Sequence, residues 1–123
     1  MLSHLSFGVN DLARATAFYE KTLAPLGYVR VFATAHAVGF GERGGQDRLA
    51  LFAMPERAAA PGPGFHLAFI APSREAVDAF HKAALGAGGT DGGAPGLRPN
   101  YSPTYYAAFV TDLDGYKLEA HHE

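Results

Sequence analysis

Apolar and polar residues alternate from His4 to Val9. Leu5, Phe7 and Val9 fall on one side, and His4, Ser6 and Gly8 on the other. A period of two predicts a strand with one face against a core. The spacing then turns helical. Asn10 or Asp11 supplies an N-cap, and Ala15, Phe18, Tyr19 and Thr22 recur on one face over Leu12–Leu23, until Pro25 and Gly27 end the helix. Three more strands are predicted at Tyr28–Phe32, Ala37–Gly41 and Arg48–Met54, with a glycine-rich turn at Gly41–Gly45. Residues 1–54 therefore read as one βαβββ module.

The pattern then starts again. Shifting the chain by 62 residues lays His4–Gly27 on His66–Gly89 without a gap, and seven of 24 positions are identical: His4/His66, Leu5/Leu67, Phe7/Phe69, Ala17/Ala79, Phe18/Phe80, Leu23/Leu85 and Gly27/Gly89. A repeat of this kind sets the architecture, because each copy is one supersecondary unit. Residues 55–64, rich in alanine, proline and glycine, form a linker, and residues 65–123 form the second module. Its first strand is Phe65–Ala71. Pro72–Ser73 caps a helix from Arg74 to about Leu85, with Ala76, Val77, Ala79, Phe80 and Ala84 as its buried stripe. Gly86–Pro103 reads as mostly loop with room for one short strand, its Gly92–Gly96 stretch a flap. Tyr105–Thr111 and Tyr116–His122 are the last two strands, joined by Asp112-Leu113-Asp114-Gly115, a strong hairpin signal. The fold class is α+β, two modules in a single domain.

Composition narrows the function by exclusion. The net charge of −2 gives no reason to expect nucleic acid or an acidic membrane surface as partner. Cysteine is absent, which removes disulfides, thiol nucleophiles and thiolate metal sites. No apolar run has the length of a membrane span, and no basic-then-apolar leader is visible, so a cytoplasmic location is expected.

Strand parity then selects the candidate chemistry. With Leu5, Phe7, Leu67, Phe69, Leu118 and Ala120 on the helix side, the opposite faces carry His4, His66, Glu119 and His121. Ser6 and Ala68 are small and leave room beside each imidazole. Two imidazoles and a carboxylate form a coherent ligand set for Zn, Fe(II), Ni or Mn. By itself Glu119 also reads as a solvated strand residue paired with Lys117, and His121 as an exposed residue or a partner behind a ligand. His36 and His81 read as surface residues, and His122 falls on the other face.

These residues carry a family resemblance. His4-Leu-Ser-Phe-Gly-Val-Asn-Asp-Leu with Ala17-Phe18-Tyr19, then Phe65-His66-Leu67-Ala68-Phe69, then Asp112-Leu-Asp-Gly-Tyr-Lys-Leu-Glu119, resemble the vicinal oxygen chelate superfamily. That superfamily includes glyoxalase I, extradiol dioxygenases, and bleomycin and fosfomycin resistance proteins. The resemblance implies paired βαβββ modules whose mixed sheets curl into a cup around a divalent metal. It implies His4, His66 and Glu119 as metal ligands, with Glu119 also a catalytic base. It further implies a homodimer, sometimes with a site built from both chains, and metal-bound vicinal oxygens of a small organic substrate undergoing lyase, isomerase or oxygenase chemistry. The rival implication is a metal-free protein that sequesters a planar or aromatic drug. The chain departs from glyoxalase I in one respect: Arg48–Met54 holds no carboxylate or amide where that enzyme has a fourth ligand, which leans towards the dioxygenase branch.

Candidate substrate-binding residues are Arg98, Tyr101, Tyr105 and Phe52. Only one of Tyr105 and Tyr106 can face the site. If the Asp112–Gly115 turn is a three-residue loop with its glycine left-handed, Tyr105, Ala107 and Phe109 fall on the Glu119 side. There a tyrosine hydroxyl orients a substrate oxygen and Arg98 holds an anionic group; packing and rim roles are the alternative. Asp112, Asp114 and Gly115 read as turn formers.

Overall fold

The computed structural model describes all residues from Met1 to Glu123. The first module runs β1 (Leu5–Val9), α1 (Leu12–Leu23), a short 3-10 turn (Ala24–Leu26), β2 (Tyr28–Ala33), β3 (Ala37–Glu42) and β4 (Asp47–Ala53). The second runs β5 (Leu67–Ile70), α2 (Arg74–Gly86), β6 (Thr90–Leu97), β7 (Tyr106–Thr111) and β8 (Lys117–His122). Asp11 caps α1 by accepting from the Arg14 N–H, and Ser73 caps α2 by accepting from the Ala76 N–H. Each module forms a mixed four-stranded sheet, in order β1-β4-β3-β2 and β5-β8-β7-β6. The β1–β4 and β5–β8 pairs are parallel and the other pairs antiparallel. The two sheets are not joined, and no barrel closes.

The expected loop after α2 is instead the eight-residue strand β6. A backbone ladder needs no side chains, so the glycines that obscure the sequence pattern do not prevent pairing with β7. They do allow register shifts at Asp91/Gly93 and Gly93/Gly96. Pro95 is tolerated because β6 is an edge strand. The Arg98 guanidinium donates to the Ala94 and Gly96 carbonyls and ties this segment down, so it is no flap.

The core decides how the modules sit. One cluster of buried apolar residues takes Val9, Leu49 and Leu51 from the first sheet, Ala108, Val110 and Leu118 from the second, and Phe18, Val77 and Phe80 from the helices. The helix-bearing faces of both sheets thus share a single core. Phe7 of β1 stacks on Tyr116 at 4.1 Å between centroids, and the Tyr116 hydroxyl donates to the Gly8 carbonyl at 2.8 Å. Gly89 has no room for a side chain: a Cβ there would lie 2.9 Å from both the Phe18 ring and the Ala84 carbonyl oxygen.

A buried polar bond also joins the modules. The Tyr19 hydroxyl donates to Asp112 Oδ2 at 2.5 Å, while Asp112 Oδ1 accepts from the Asp114 and Tyr116 N–H groups. Burial, then the Asp112 carboxylate, pushes the Tyr19 hydroxyl well above the usual phenol range. Burial likewise raises Asp112, against the pull of its donors. Both folded values are raised, so each group's contribution is complete below its unfolded value and is lost as pH rises through the folded one. Stability therefore falls through the acidic range above 3.8 for Asp112, and again above 10.0 for Tyr19.

Tyr19→Phe leaves Asp112 Oδ2 buried without its donor and costs about 1–3 kcal/mol, read from urea unfolding at neutral pH. The same variant loses less stability than wild type between neutral pH and pH above 10, because the group that must ionise is gone. An unchanged alkaline slope would show that this tyrosine does not titrate with unfolding.

Candidate functional site

Glu119 lies in the middle of β8 on the open face of the second sheet, between Ala68 of β5 and Phe109 of β7 in the strand register. Despite this open-face position it is only 1% exposed. Its Oε2 lies 3.1 Å from His66 Nε2, and its Oε1 accepts from the Tyr105 hydroxyl at 2.6 Å. The alternative pairing with Lys117 does not form; the ion pairs of this chain are Arg30–Glu20, His66–Glu119 and His81–Asp91.

Tyr105 reaches the site because of the turn beyond β7. Asp112 and Tyr116 close a three-residue loop through the Asp112 N–H and Tyr116 carbonyl, with Gly115 left-handed at φ 94°. This register places Phe109 opposite Glu119 and sends Tyr106 to the other face, where its hydroxyl donates to Asp78. Desolvation and the neighbouring Glu119 carboxylate hold the Tyr105 hydroxyl far above the usual phenol range, so it remains a donor. His121 stacks flat on the Tyr105 ring, with centroids 4.6 Å apart and planes 3° from parallel, and its buried Nδ1 has no protein partner. Tyr101 meets the Tyr105 ring edge-on at 5.0 Å and is 61% exposed. An aromatic ladder thus runs from solvent down to the buried carboxylate. Arg98 lies over the Phe109 ring at 5.6 Å.

His4 and Phe52 lie elsewhere. His4 is exposed at the start of β1, where its Nδ1 is 2.7 Å from the Ser3 hydroxyl. It lines a groove of about 380 Å³ between the edges of the two sheets, with Tyr28, Arg48, Leu67, Phe69 and Ile70. Phe52 lies on the open face of the first sheet, 40% exposed. Within one chain no three metal-ligating side chains converge. His66 and Glu119 are brought together; His4 is not with them.

The model of the Glyoxalase/Bleomycin resistance protein/Dioxygenase superfamily matches residues 1–120. The chain belongs to that superfamily. A glyoxalase/bleomycin resistance protein of Albidiferax ferrireducens T118 is similar at 34% identity and TM-score 0.82, over 99% of this chain and 98% of its own. A glyoxalase-related enzyme from Fulvimarina pelagi shares the fold at 18% identity and TM-score 0.76, over 100% and 88% of the two chains. The fosfomycin resistance protein FosX of Listeria monocytogenes does so at 20% identity and TM-score 0.71, over 100% and 93%. No functionally curated protein matches the chain.

In this superfamily member, three residues have surroundings that the sequence pattern does not reveal. His121 has its aromatic partner only because β8 places it beside Tyr105, although parity already put it on the Glu119 face. Lys117 sits with its ammonium 5.1 Å from the Phe109 ring, where i,i+2 spacing had paired it only with Glu119. His81, expected at the surface, has a side chain only 12% exposed, its Nε2 2.9 Å from Asp91.

Tyr105→Phe removes one of the two partners of a buried carboxylate. A loss of about 1.5–3 kcal/mol is expected, the range for hydrogen bonds to charged groups. Chemical denaturation of wild type and variant measures it, and an unchanged midpoint would mean that water replaces the hydroxyl without cost.

Proposed function

We propose that this protein is a small metal-dependent enzyme that binds vicinal oxygens of a small organic substrate, with its site completed by two copies of the chain. The observation that carries the reading is the buried Glu119 carboxylate, held against His66 on one open face while His4 stands on the other. A divalent ion bonds imidazole nitrogen and carboxylate oxygen at about 2.0–2.2 Å, so two ligands at right angles lie about 3 Å apart. The 3.1 Å between His66 Nε2 and Glu119 Oε2 meets that spacing. Zn, Fe(II), Ni or Mn suits such donors.

The missing donor has a structural source. With the helix faces of one chain packed in its own core, the first-sheet face is left free to meet the second-sheet face of another copy. A two-fold axis would then make two equal sites, each with His4 from one copy and His66 and Glu119 from the other. The outer edges of β1 and β5 are unpaired, and Ile70 on β5 is 73% exposed, which supports contact there.

A divalent ion would supply Lewis-acid polarisation of two substrate oxygens. Glu119 is the base that takes a proton from the activated substrate, and Tyr105 holds the carboxylate in place by its hydrogen bond. His121 fixes the Tyr105 ring by stacking. Lyase, isomerase and oxygenase chemistry all fit this arrangement. The second reading, a metal-free protein that sequesters a planar drug, is favoured by the ladder of Tyr101, Tyr105 and His121.

The test is metal content by plasma mass spectrometry after dialysis against Zn, Ni, Mn or Fe(II), with sedimentation of the same samples. One ion per chain in a two-chain particle, lost in both His66→Ala and His4→Ala, is expected. Metal kept by His4→Ala would remove the second copy from the site. An apo protein under every condition would overturn the enzyme reading and direct screening to planar antibiotics.

A further inference from the structure

Beside His66 the chain between β4 and β5 leaves a polar cleft of about 450 Å³. Its walls are the Pro61–Phe65 segment and Gly115, and its two cationic or donor side chains are His66 and Lys117. Gly62 and Gly64 carry no Cβ and have open space where one would stand. Their N–H groups take part in no hydrogen bond within the chain. Phe65 is the one hydrophobic residue of its lining, which is otherwise glycine, proline, His66 and Lys117.

Its charge is uncompensated. Lys117 has no carboxylate within ion-pair distance, although Glu119 lies two residues away on the same face. Both Glu119 oxygens are already committed, to His66 and to Tyr105. The Lys117 ammonium instead lies over Phe109, 5.1 Å from the ring centroid. Arg98 holds the same ring at 5.6 Å and likewise lacks a carboxylate. Two cations and a histidine thus lie around one aromatic side chain, and neither cation is ion-paired. Such an arrangement attracts an anion and orients it.

We propose that this cleft takes an oxyanion group of the substrate, with Lys117 as its anchor and Arg98 as a second, more distant charge. The inference rests on the proposed function for calling the bound molecule a substrate, but the anion site lies within one chain and needs neither metal nor partner. It makes the substrate a small organic anion whose charged end lies beside His66, so that its remaining oxygens lie towards Glu119.

The experiment is a titration of chelator-treated protein with benzoate and, separately, inorganic phosphate at constant ionic strength, followed by amide NMR. Saturable shifts at Gly62, Gly64, His66, Gly115 and Lys117 are expected. Lys117→Met keeps an apolar stem over Phe109 and should weaken binding about tenfold, a change of about 1.4 kcal/mol. Arg98→Met should weaken it less, and Lys82→Met on α2 not at all. Saturation by benzoate alone identifies a carboxylate, by phosphate alone a phosphoryl group, and by both a general oxyanion site. No saturation with either probe, or equal affinity in Lys117→Met, overturns the proposal. Because the protein is freed of metal, failure of the metal site would leave this outcome readable.

Discussion

The helix-bearing faces of both sheets are buried in one apolar core, and the outward aim of everything else follows from that packing. Phe18, Tyr19, Val77 and Phe80 are 1% exposed or less, and burying each such side chain stabilises the fold by roughly 1.5–3 kcal/mol. Neither module could bury its helix stripe so completely alone. Once the stripes are spent on each other, each sheet has only its open face left for chemistry. Of the equivalent imidazoles, His4 lines the groove between the sheet edges while His66 meets Glu119. Repeat symmetry in the sequence does not bring the two imidazoles into one cluster with Glu119 within the chain.

Two buried carboxylates in the second module show how the same group serves different ends. Asp112 accepts from the Tyr19 hydroxyl and from two backbone N–H groups. It closes the β7–β8 turn and fastens that turn to α1, which leaves it nothing to offer a ligand. Glu119 accepts from Tyr105 and faces His66, a side chain half exposed on an open surface. This carboxylate is desolvated, yet it has an imidazole beside it and solvent beyond. The acidic residues of the Asp112–Gly115 turn build the register that Glu119 depends on. Shifting that turn by one residue would exchange Phe109 for Ala108 beside the carboxylate and turn Tyr105 away.

The open face of the second sheet is therefore asymmetric in a useful way. On one side of Glu119 stand the aromatic rings of Tyr101, Tyr105 and His121, the last two stacked flat and the first edge-on. On the other, His66 and Lys117 border a polar cleft. A small molecule lying across the carboxylate would meet a stacking surface at one end and positive charge at the other. Superfamily membership sets the scaffold; this division of the face belongs to the residues of this chain.

Much of the fold is written locally. The period-two and helical spacings, the Asp11 and Ser73 caps, and the His4–Gly27 repeat each depend on neighbours in sequence, and they specify two βαβββ modules without reference to the rest of the chain. Parity likewise put His66, Glu119, His121 and, through the left-handed Gly115, Tyr105 on one face. The strand β6 escaped because its glycines carry no side-chain pattern, while its backbone ladder to β7 is satisfied all the same. What only the tertiary structure decided is which modules face each other. That choice rests on long-range burial of helix stripes that look alike in both copies, so no local pattern distinguishes a His4 beside His66 from a His4 turned away from it. The sequence determined the two repeated modules and the faces of their strands, and the packing of the core decided that His66, and not His4, meets Glu119.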